Sequence, residues 1–262
     1  MTDSTTTTRP GSAELTRRGG EQRRLGQLPP GQRLIDWFPR FGTHSDRPAP
    51  TIPDDPVVEI GGVVTEPFAV RVADLATLPR RRLDADFHCV SGWTAADLRW
   101  DGVAFAEFYR LRIEPSLRPG AVVTHVKFCG LDGFRSVFTI DDVLDHDVLL
   151  ADHLDGERLG NDHGAPLRVV SPAQYGYMST KHLSRIEVHT AVPTGGPRSF
   201  VLDVLLHSHP RARVWEEERH GTLPGPMVRP FYRAIAKVML RRSRRSSRRA
   251  ARTDSSNSTT RD

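Results

Sequence analysis

The apolar residues of this chain come in short segments, and this pattern limits the fold more than any other feature of the sequence. Segments of about four to eight residues, rich in Val, Ile, Leu and Phe, are separated by glycine, proline and aspartate. Several alternate between apolar and polar residues, as strands with one buried face do. The sequence has no run of 18 apolar residues, so no membrane-spanning helix is predicted. It also lacks a regular alternation of strands and helices, which argues against a doubly wound parallel sheet.

The pattern predicts an α+β fold that is mostly β, with mixed sheets and short helices. Strands are predicted at residues 57–60, 68–70, 83–90, 121–128, 134–140, 148–154, 167–170 and 183–188. The residues Leu131-Asp132-Gly133 between two of these strands are typical of a hairpin turn. Helices are predicted at 72–78, 105–111, 141–144 and 228–240.

Composition divides the chain into a folded body with polar ends. Residues 1–34 are poor in apolar side chains and are predicted to be a disordered tail, and the proline-rich residues 35–56 an extended arm. Residues 57–240 form the predicted domain, and 241–262 a second disordered tail rich in Arg and Ser. The net charge of +5 comes from the two tails, because 241–262 alone hold eight Arg and two Asp. The body is therefore mildly acidic.

The cysteine count and the polar start of the chain set the expected compartment. Two cysteines cannot build a disulfide framework or a four-cysteine zinc site, although a single Cys89–Cys129 bridge stays open. The first thirty residues lack the apolar stretch of a secretory leader, so we expect a cytoplasmic protein. Glycine motifs of the GxGxxG and GxxxxGK[ST] kinds are absent, which counts against dinucleotide and P-loop binding.

The first of three clusters that could carry chemistry surrounds a cysteine. Cys89 lies near the end of a predicted strand and is followed, after Val90, by Ser91-Gly92-Trp93. A cysteine in this position suits a thiolate nucleophile or a ligand of a soft metal. A lone cysteine is also a common packing residue of protein interiors, and this alternative stays open at this point.

The second and third clusters have the composition of anion-binding sites. His163 and Arg168 lie five residues apart, where a turn leads into a strand, and arginine can bind a phosphate through two hydrogen bonds. Farther along the chain, Tyr175, Tyr177 and the run Ser179-Thr180-Lys181 could surround an anion with hydroxyl and ammonium groups. Each cluster alone is equally compatible with an ordinary turn, ion pair or loop.

Taken in order, the three clusters resemble the molybdopterin-binding domain of the sulfite oxidase superfamily, over about residues 57–190. The most specific landmark is H-G-x-P-x-R-V-V, here residues 163–170, with an S-x-K motif that begins at Ser179. The other landmarks are the strand-end Cys89, a W-x-G-V-like segment at 100–103 and the Asp-Gly pair at 132–133. Because Ser-Gly-Trp follows the cysteine, the chain is more similar to the bacterial branch that includes the methionine-sulfoxide reductase than to animal and plant sulfite oxidases.

The resemblance implies a molybdenum–molybdopterin cofactor, no haem in this chain, and a role for each matched residue. Cys89 is expected to be the thiolate ligand of molybdenum, with His163 and Arg168 on the pterin and its phosphate. The anion-binding loop is expected at residues 179–181, that is Ser179, Thr180 and Lys181. The remaining expected site residues are Phe87 and His88, which line the pocket, and the arm Arg40-Phe41-Gly42 near the cofactor. Tyr175 and Tyr177 are candidates for a pocket hydroxyl, and Tyr177 is the expected catalytic one.

The activity implied by the resemblance is oxo transfer to or from a small substrate such as sulfite or a sulfoxide. Electrons are then expected to pass through a separate partner protein, and nucleic acid is not an expected partner. Two alternatives remain: a degenerate binding protein whose basic tail contacts nucleic acid or acidic partners, and a hydrolase with Cys89 as nucleophile and His163 as base. Intact Cys89, Arg168 and Lys181 argue against the first, and the hydrolase lacks a recognisable orienting residue.

Overall fold

The chain forms two β-sheets with a few short helices. The structure, a computed structural model, describes residues 28–40, 49–193 and 211–216, and also 223–243 apart from 235, 239 and 242. Within these ranges most regular structure is β and both sheets are mixed. The predicted α+β, mostly β fold is therefore confirmed.

The first sheet is built around its longest strand. Its six strands are β1 (Arg33–Ile35), β4 (Arg80–Cys89), β5 (Trp93–Ala104), β8 (Leu149–Leu154), β9 (Glu157–Arg158) and β10 (Arg168–Val170). Strand β5 pairs antiparallel with β4, antiparallel with β8 near its end, and parallel with β1 at its start. Strand β8 also pairs with β9 and β10, both antiparallel.

The second sheet contains five strands in the order β3-β2-β11-β6-β7. Their bounds are β2 (Val57–Gly62), β3 (Phe68–Arg71), β6 (His125–Gly130), β7 (Arg135–Thr139) and β11 (Leu183–His189). Strands β2 and β11 are parallel, and the other neighbours are antiparallel. In the predicted hairpin between β6 and β7, the Asp132 carboxylate accepts a hydrogen bond from the Phe134 N–H at 3.0 Å.

The helices are short except for the last one. α1 (Phe105–Phe108) continues as a π-helical turn at Tyr109–Ile113, and α2 (Ile140–Val143) begins after Thr139, whose hydroxyl accepts the Asp142 N–H. α3 spans 225–243, and 3-10 turns occupy Val72–Thr77, Glu114–Ser116, Asn161–His163 and Gly176–Met178. No helix among the described residues has both the length and the apolar character that crossing a membrane requires.

The first sheet is buried on both faces, and this decides where the site lies. Because strand side chains alternate between faces, Leu150 points into the main core shared with the second sheet, and Leu149 and Ala151 point into a smaller core on the opposite face. The smaller core also contains Phe38 and, from α3, Ala236. We call the sheet face that carries the smaller core the outer face.

Most predicted strands are confirmed, but the longest strand was not predicted. Apolar and polar residues do not alternate regularly along β5. Gly102 interrupts the pattern, and the exposed Asp97 has a positive φ of 59°, which is unusual within a strand. Residues 121–124 precede β6 without regular secondary structure, so the strand starts later than expected. Residues 1–27, 41–48 and 244–262 lie outside the described part of the chain, and the predicted tails and arm stay predictions.

Candidate functional site

The predicted site residues of the first two clusters meet on the outer face of the first sheet. Cys89 and Phe87 lie two residues apart on β4, Arg168 begins β10, and His163 lies in the 3-10 turn before that strand. All three residues of β10 are buried, with Val169 in the main core and Val170 in the smaller core. The alternation along β10 therefore turns the Arg168 side chain toward the outer face.

Cys89 occupies the last position of its strand, before a tight turn. The turn Val90-Ser91-Gly92 closes with the Gly92 N–H donating to the Cys89 carbonyl at 2.9 Å, and Gly92 has a φ of 93°. The Cys89 side chain is 6% exposed and is not part of a disulfide, and its Sγ lies 3.0 Å from the Ser91 hydroxyl. Cys129 on β6 is also a free thiol, so the bridge that the sequence left open does not form.

Arg168 is a fully buried cation surrounded by aromatic rings. Its guanidinium carbon lies 4.9 Å from the ring centre of Trp100, 5.5 Å from that of Phe87 and 5.8 Å from that of Phe38. Its side chain donates only to the backbone carbonyls of His163 and Val169, and Nη2 is buried without a partner in the described part of the chain. Burial lowers the pKa of Arg168 to about 9, so the group is still charged at neutral pH.

His163 is held flat against an aromatic ring of the N-terminal arm. Its imidazole stacks on Phe38 with ring centres 4.8 Å apart and planes 8° from parallel. Burial, followed by the charges of Lys181 and Arg168, lowers the pKa of His163 to about 4, so the imidazole is neutral at pH 7. Its Nδ1 is buried and has no hydrogen-bond partner in the ranges that the structure covers.

A glycine allows Lys181 to approach Arg168. Gly164 has a φ of 106°, and a Cβ at this position would lie 3.0 Å from Cβ of Lys181 and 3.2 Å from Cβ of Arg168. The Lys181 ammonium donates to the Asp162 carbonyl at 2.8 Å. Its pKa is lowered to about 7, first by burial and then by the charges of Arg168 and Arg40.

The cationic side chains around residues 162–164 outweigh the nearby carboxylates. Arg40 forms a 3.5 Å ion pair with Asp162, and Asp132 lies close enough to favour the charged form of Lys181. No carboxylate of the described residues pairs with Arg168. Buried charges in proteins are normally compensated, so a buried guanidinium with a free N–H beside a second cation fits an anionic group such as a phosphate.

The other residues of the predicted loop are engaged with the protein itself. The Ser179 hydroxyl accepts from the Ser171 N–H at 3.3 Å, and the Thr180 hydroxyl lies 2.7 Å from that of Ser136. Tyr177 lies in the 3-10 turn Gly176–Met178 and is half-buried. Buried His88 contacts the Thr94 hydroxyl through Nδ1 at 2.9 Å. The predicted roles of these four residues, like those of Phe87, His163 and Lys181, stay predictions.

Phe38 and Gln32 are site residues that the sequence analysis missed. Phe38 contacts His163, Phe87 and Arg168, and the Gln32 amide donates to the Cys89 carbonyl at 3.0 Å. Phe38 belongs to the predicted arm and Gln32 to the end of the predicted tail, and β1 between them pairs with β5. The apolar residues between 34 and 41 indicate that this part of the chain packs on the body. No local sequence pattern, however, predicts which residues Phe38 and Gln32 contact.

The described residues contain no cluster of three or more His, Cys, Asp or Glu side chains that could hold a metal ion on their own. Cys89 is the metal-ligand candidate that the sequence analysis put forward. A soft thiolate of this kind suits a metal whose other ligands are also sulfur. The site therefore combines the Cys89 thiol at a strand end with the buried Arg168 guanidinium on the same sheet face.

Comparison with known proteins gives one consistent result. Residues 44–196 match the family "Oxidoreductase molybdopterin binding domain". The chain is 31% identical over 162 residues to "Uncharacterized oxidoreductase YuiH" of Bacillus subtilis, spanning 62% of this chain and 79% of that protein. It is 28% identical to sulfite oxidase of Arabidopsis thaliana and 30% to the protein-methionine-sulfoxide reductase catalytic subunit MsrP of Ralstonia nicotianae, over 69% and 57% of this chain.

The matched regions make up 53% of that sulfite oxidase and 49% of that reductase, so the chain spans about half the length of these two relatives. The family match covers more than half of the chain, and it includes Cys89, His163, Arg168 and Lys181. It also includes β2 to β11, and thus both sheets apart from β1. The chain belongs to the molybdopterin-binding oxidoreductase domain family, within the sulfite oxidase superfamily.

Proposed function

We propose that this chain is an oxo-transfer enzyme in which Cys89 supplies the thiolate ligand of molybdenum. The buried Arg168 guanidinium, which no carboxylate of the described residues compensates, is the observation that carries the proposal. A protein that bound no anion would leave this charge buried and unpaired, which is strongly unfavourable. The residues present therefore fit a cofactor that ends in a phosphate.

The cationic residues would hold the cofactor by its charge. Arg168 and Lys181 would bind the phosphate, with Arg40 adding positive charge nearby. Neutral His163 offers a free Nδ1 for a hydrogen bond to the pterin, and its stacking on Phe38 fixes the plane of the ring. When bound, the cofactor supplies two-electron oxo transfer.

Cys89 is suited to the ligand role by its place in the hairpin. The turn after β4 fixes the cysteine backbone, because the Gly92 N–H and the Gln32 amide both donate to its carbonyl. If the thiol is ionised, the Ser91 hydroxyl at 3.0 Å can donate a hydrogen bond to the sulfur. The hydrogen bond would then stabilise the thiolate before the metal binds.

The substrate that we propose is a small molecule of the sulfite or sulfoxide kind. The names of the relatives, sulfite oxidase and protein-methionine-sulfoxide reductase, support this class. Tyr177 is the proposed source of a hydroxyl that binds the substrate, because the turn that carries it packs against Phe87: a Cβ at Gly176 would lie 2.1 Å from that ring. We further propose that a separate protein exchanges electrons with the site.

Metal and pterin analysis of three variants tests the proposal. The protein is purified from a host that makes the cofactor, as wild type and as the variants Cys89→Ser, Arg168→Met and Cys129→Ser. We expect about one molybdenum per wild-type chain. Cys89→Ser should keep the pterin but lose the optical and paramagnetic signature of thiolate-bound molybdenum, whereas Arg168→Met should lose the pterin itself.

Cys129→Ser is the matched control. The Cys129 thiol lies on the other sheet, and burial raises its pKa, so its loss should leave both contents unchanged. Correctly folded wild-type protein without molybdenum would contradict the enzyme proposal and favour a degenerate binding protein. An unchanged metal signature in Cys89→Ser would contradict the ligand role alone.

A further inference from the structure

The last helix is fixed to the body by one face. Val228, Tyr232 and Ala236 of α3 are buried, and Ala236 belongs to the smaller core together with Cys89 and Trp93. Leu240 packs against the same core one turn later. The spacing of four residues keeps these side chains on one side of the helix, so the orientation of the opposite side is fixed as well.

The opposite side of α3 exposes large apolar side chains. Met227 is 69% exposed, Phe231 45% and Val238 51%. At 100° per residue these three positions fall within a narrow stripe on the side away from the core. A soluble protein rarely aligns a methionine, a phenylalanine and a valine on one exposed helix stripe unless the stripe binds something.

The exposed stripe is bordered by positive charge. Arg241, Lys237 and Arg233 are exposed along one flank of α3, with Arg241 next to the apolar stripe and Arg233 farthest from it in the helical projection. The sequence from 223 to 252 contains ten Lys and Arg residues and no Asp or Glu. A basic helix with an exposed apolar stripe is the composition of helices that lie in the headgroup region of a bilayer.

We propose that the outer side of α3 docks the protein on an anionic lipid bilayer, with the apolar stripe entering the headgroup boundary and the basic residues on the phosphates. Nucleic acid would satisfy the charges but would leave Met227, Phe231 and Val238 without a partner. A second copy of the chain would bring two strongly basic, acid-free helices together, which like-charge repulsion opposes. This proposal is independent of the oxidoreductase function.

Vesicle flotation with the full chain tests the docking surface. Wild-type protein is mixed with phosphatidylcholine vesicles, with and without phosphatidylglycerol, at low and at physiological ionic strength. We expect flotation only with the anionic vesicles and weaker binding at higher salt. Met227→Ser, Phe231→Ser and Val238→Ser combined should weaken binding at least about tenfold, because the apolar contact is lost while the charge is unchanged.

Two matched variants separate the stripe from general surface effects. Val122→Ser with Val192→Ser removes two apolar side chains that are 73% and 67% exposed elsewhere on the body, and should float like wild type. A variant with Arg233→Glu, Lys237→Glu and Arg241→Glu should not float. All substituted positions are exposed, so thermal unfolding should show that each variant is folded.

Three results would overturn the proposal. The first is equal flotation of the apolar triple variant and wild type. The second is binding to short duplex DNA, unaffected by that variant, in protein that does not float with vesicles. The third is a concentration-dependent dimer in light scattering that the same variant dissociates, again without flotation.

Discussion

At the residue scale, the site is defined by charges that the protein buries without neutralising them. Arg168 lies among Trp100, Phe87 and Phe38, and within the described ranges it donates only to backbone carbonyls. Cation–π contacts recover part of the lost hydration, but they do not replace a counter-ion. The protein without its cofactor therefore carries an unfavourable charge that the bound anion would relieve.

Lys181 makes this unfavourable charge measurable as a pH dependence. Its pKa falls from 10.5 in the unfolded chain to about 7 in the folded protein. Between these values the unfolded state binds more protons, so the free energy of unfolding rises with pH. We expect the stability of cofactor-free wild type, relative to Lys181→Met, to be lowest below about pH 7 and to increase toward pH 10.5.

Urea unfolding of both proteins at a series of pH values measures this difference. Groups that do not interact with Lys181 titrate alike in both proteins and therefore cancel in the comparison, whereas the neighbouring Arg168 contributes to the measured difference. If the stability difference stays constant from pH 7 to pH 10.5, the result would contradict the burial of Lys181 that lowers its pKa.

At the element scale, β5 depends on a glycine where its pairing with β8 is irregular. The register shifts between Asp101 and Gly102, and a Cβ at Gly102 would lie 2.0 Å from the backbone oxygen of Leu150. Because the obstacle is backbone, no side-chain rotation can relieve it. We expect Gly102→Ala to lower the free energy of unfolding by about 2–4 kcal/mol in urea titration.

Gly160→Ala is the matched control for this substitution. Nothing lies within 4 Å of a Cβ at Gly160, and its φ of −76° suits alanine. Its stability should equal or slightly exceed that of wild type, because alanine restricts the unfolded chain more than glycine does. Equal stability of Gly102→Ala and Gly160→Ala would contradict the close approach of β5 and β8.

The same strand shows what sequence patterns reveal about elements. The hairpin at Leu131-Asp132-Gly133 was predictable because turn residues act locally. β5 was not, because its Asp97 and Gly102 interrupt the sequence pattern, while their conformations are supported by contacts with neighbouring strands. The Asp97 N–H, for example, donates to the Asp86 carboxylate at 3.1 Å.

At the scale of the whole molecule, a segment beyond the family match holds the loop that carries the tyrosines. The Tyr175 N–H donates to the Ala212 carbonyl at 2.8 Å, and the Val214 N–H to the Ala173 carbonyl at 2.9 Å. An ion pair fastens the segment to α2, with Arg211 Nε 2.8 Å from the buried Asp142 carboxylate. Loop and segment therefore form one unit.

We expect Asp142→Asn to loosen this unit without disturbing the central strand β11 of the second sheet. Loss of a charge-assisted contact should weaken local stability by about 1–2 kcal/mol and accelerate amide exchange at Tyr175 and Val214 about tenfold. Hydrogen exchange followed by mass spectrometry measures this. Exchange at Ile186 in β11, which is fully buried, should not change.

Arg185→Gln controls for the loss of an ion pair elsewhere. Arg185 and Glu59 pair at the surface, with side chains 51% and 54% exposed, so their contact should contribute little to stability. Exchange at Tyr175 and Val214 should match wild type in this variant. Faster exchange in both variants would mean that the segment is not fastened by Arg211.

The sequence by itself determined the class of fold, most strands and the family, and it predicted the Cys, His, Arg and Lys residues that we propose for the site. Strand alternation, turn residues and the spacing of Cys89, His163, Arg168 and Lys181 are local properties that a sequence displays directly. Only the tertiary structure decided how these groups meet, because burial, stacking on Phe38 and the absence of a counter-ion for Arg168 among the described residues arise from contacts between distant segments. The pKa values of His163 and Lys181 follow from those contacts, since desolvation depends on what surrounds a group and not on its neighbours in sequence.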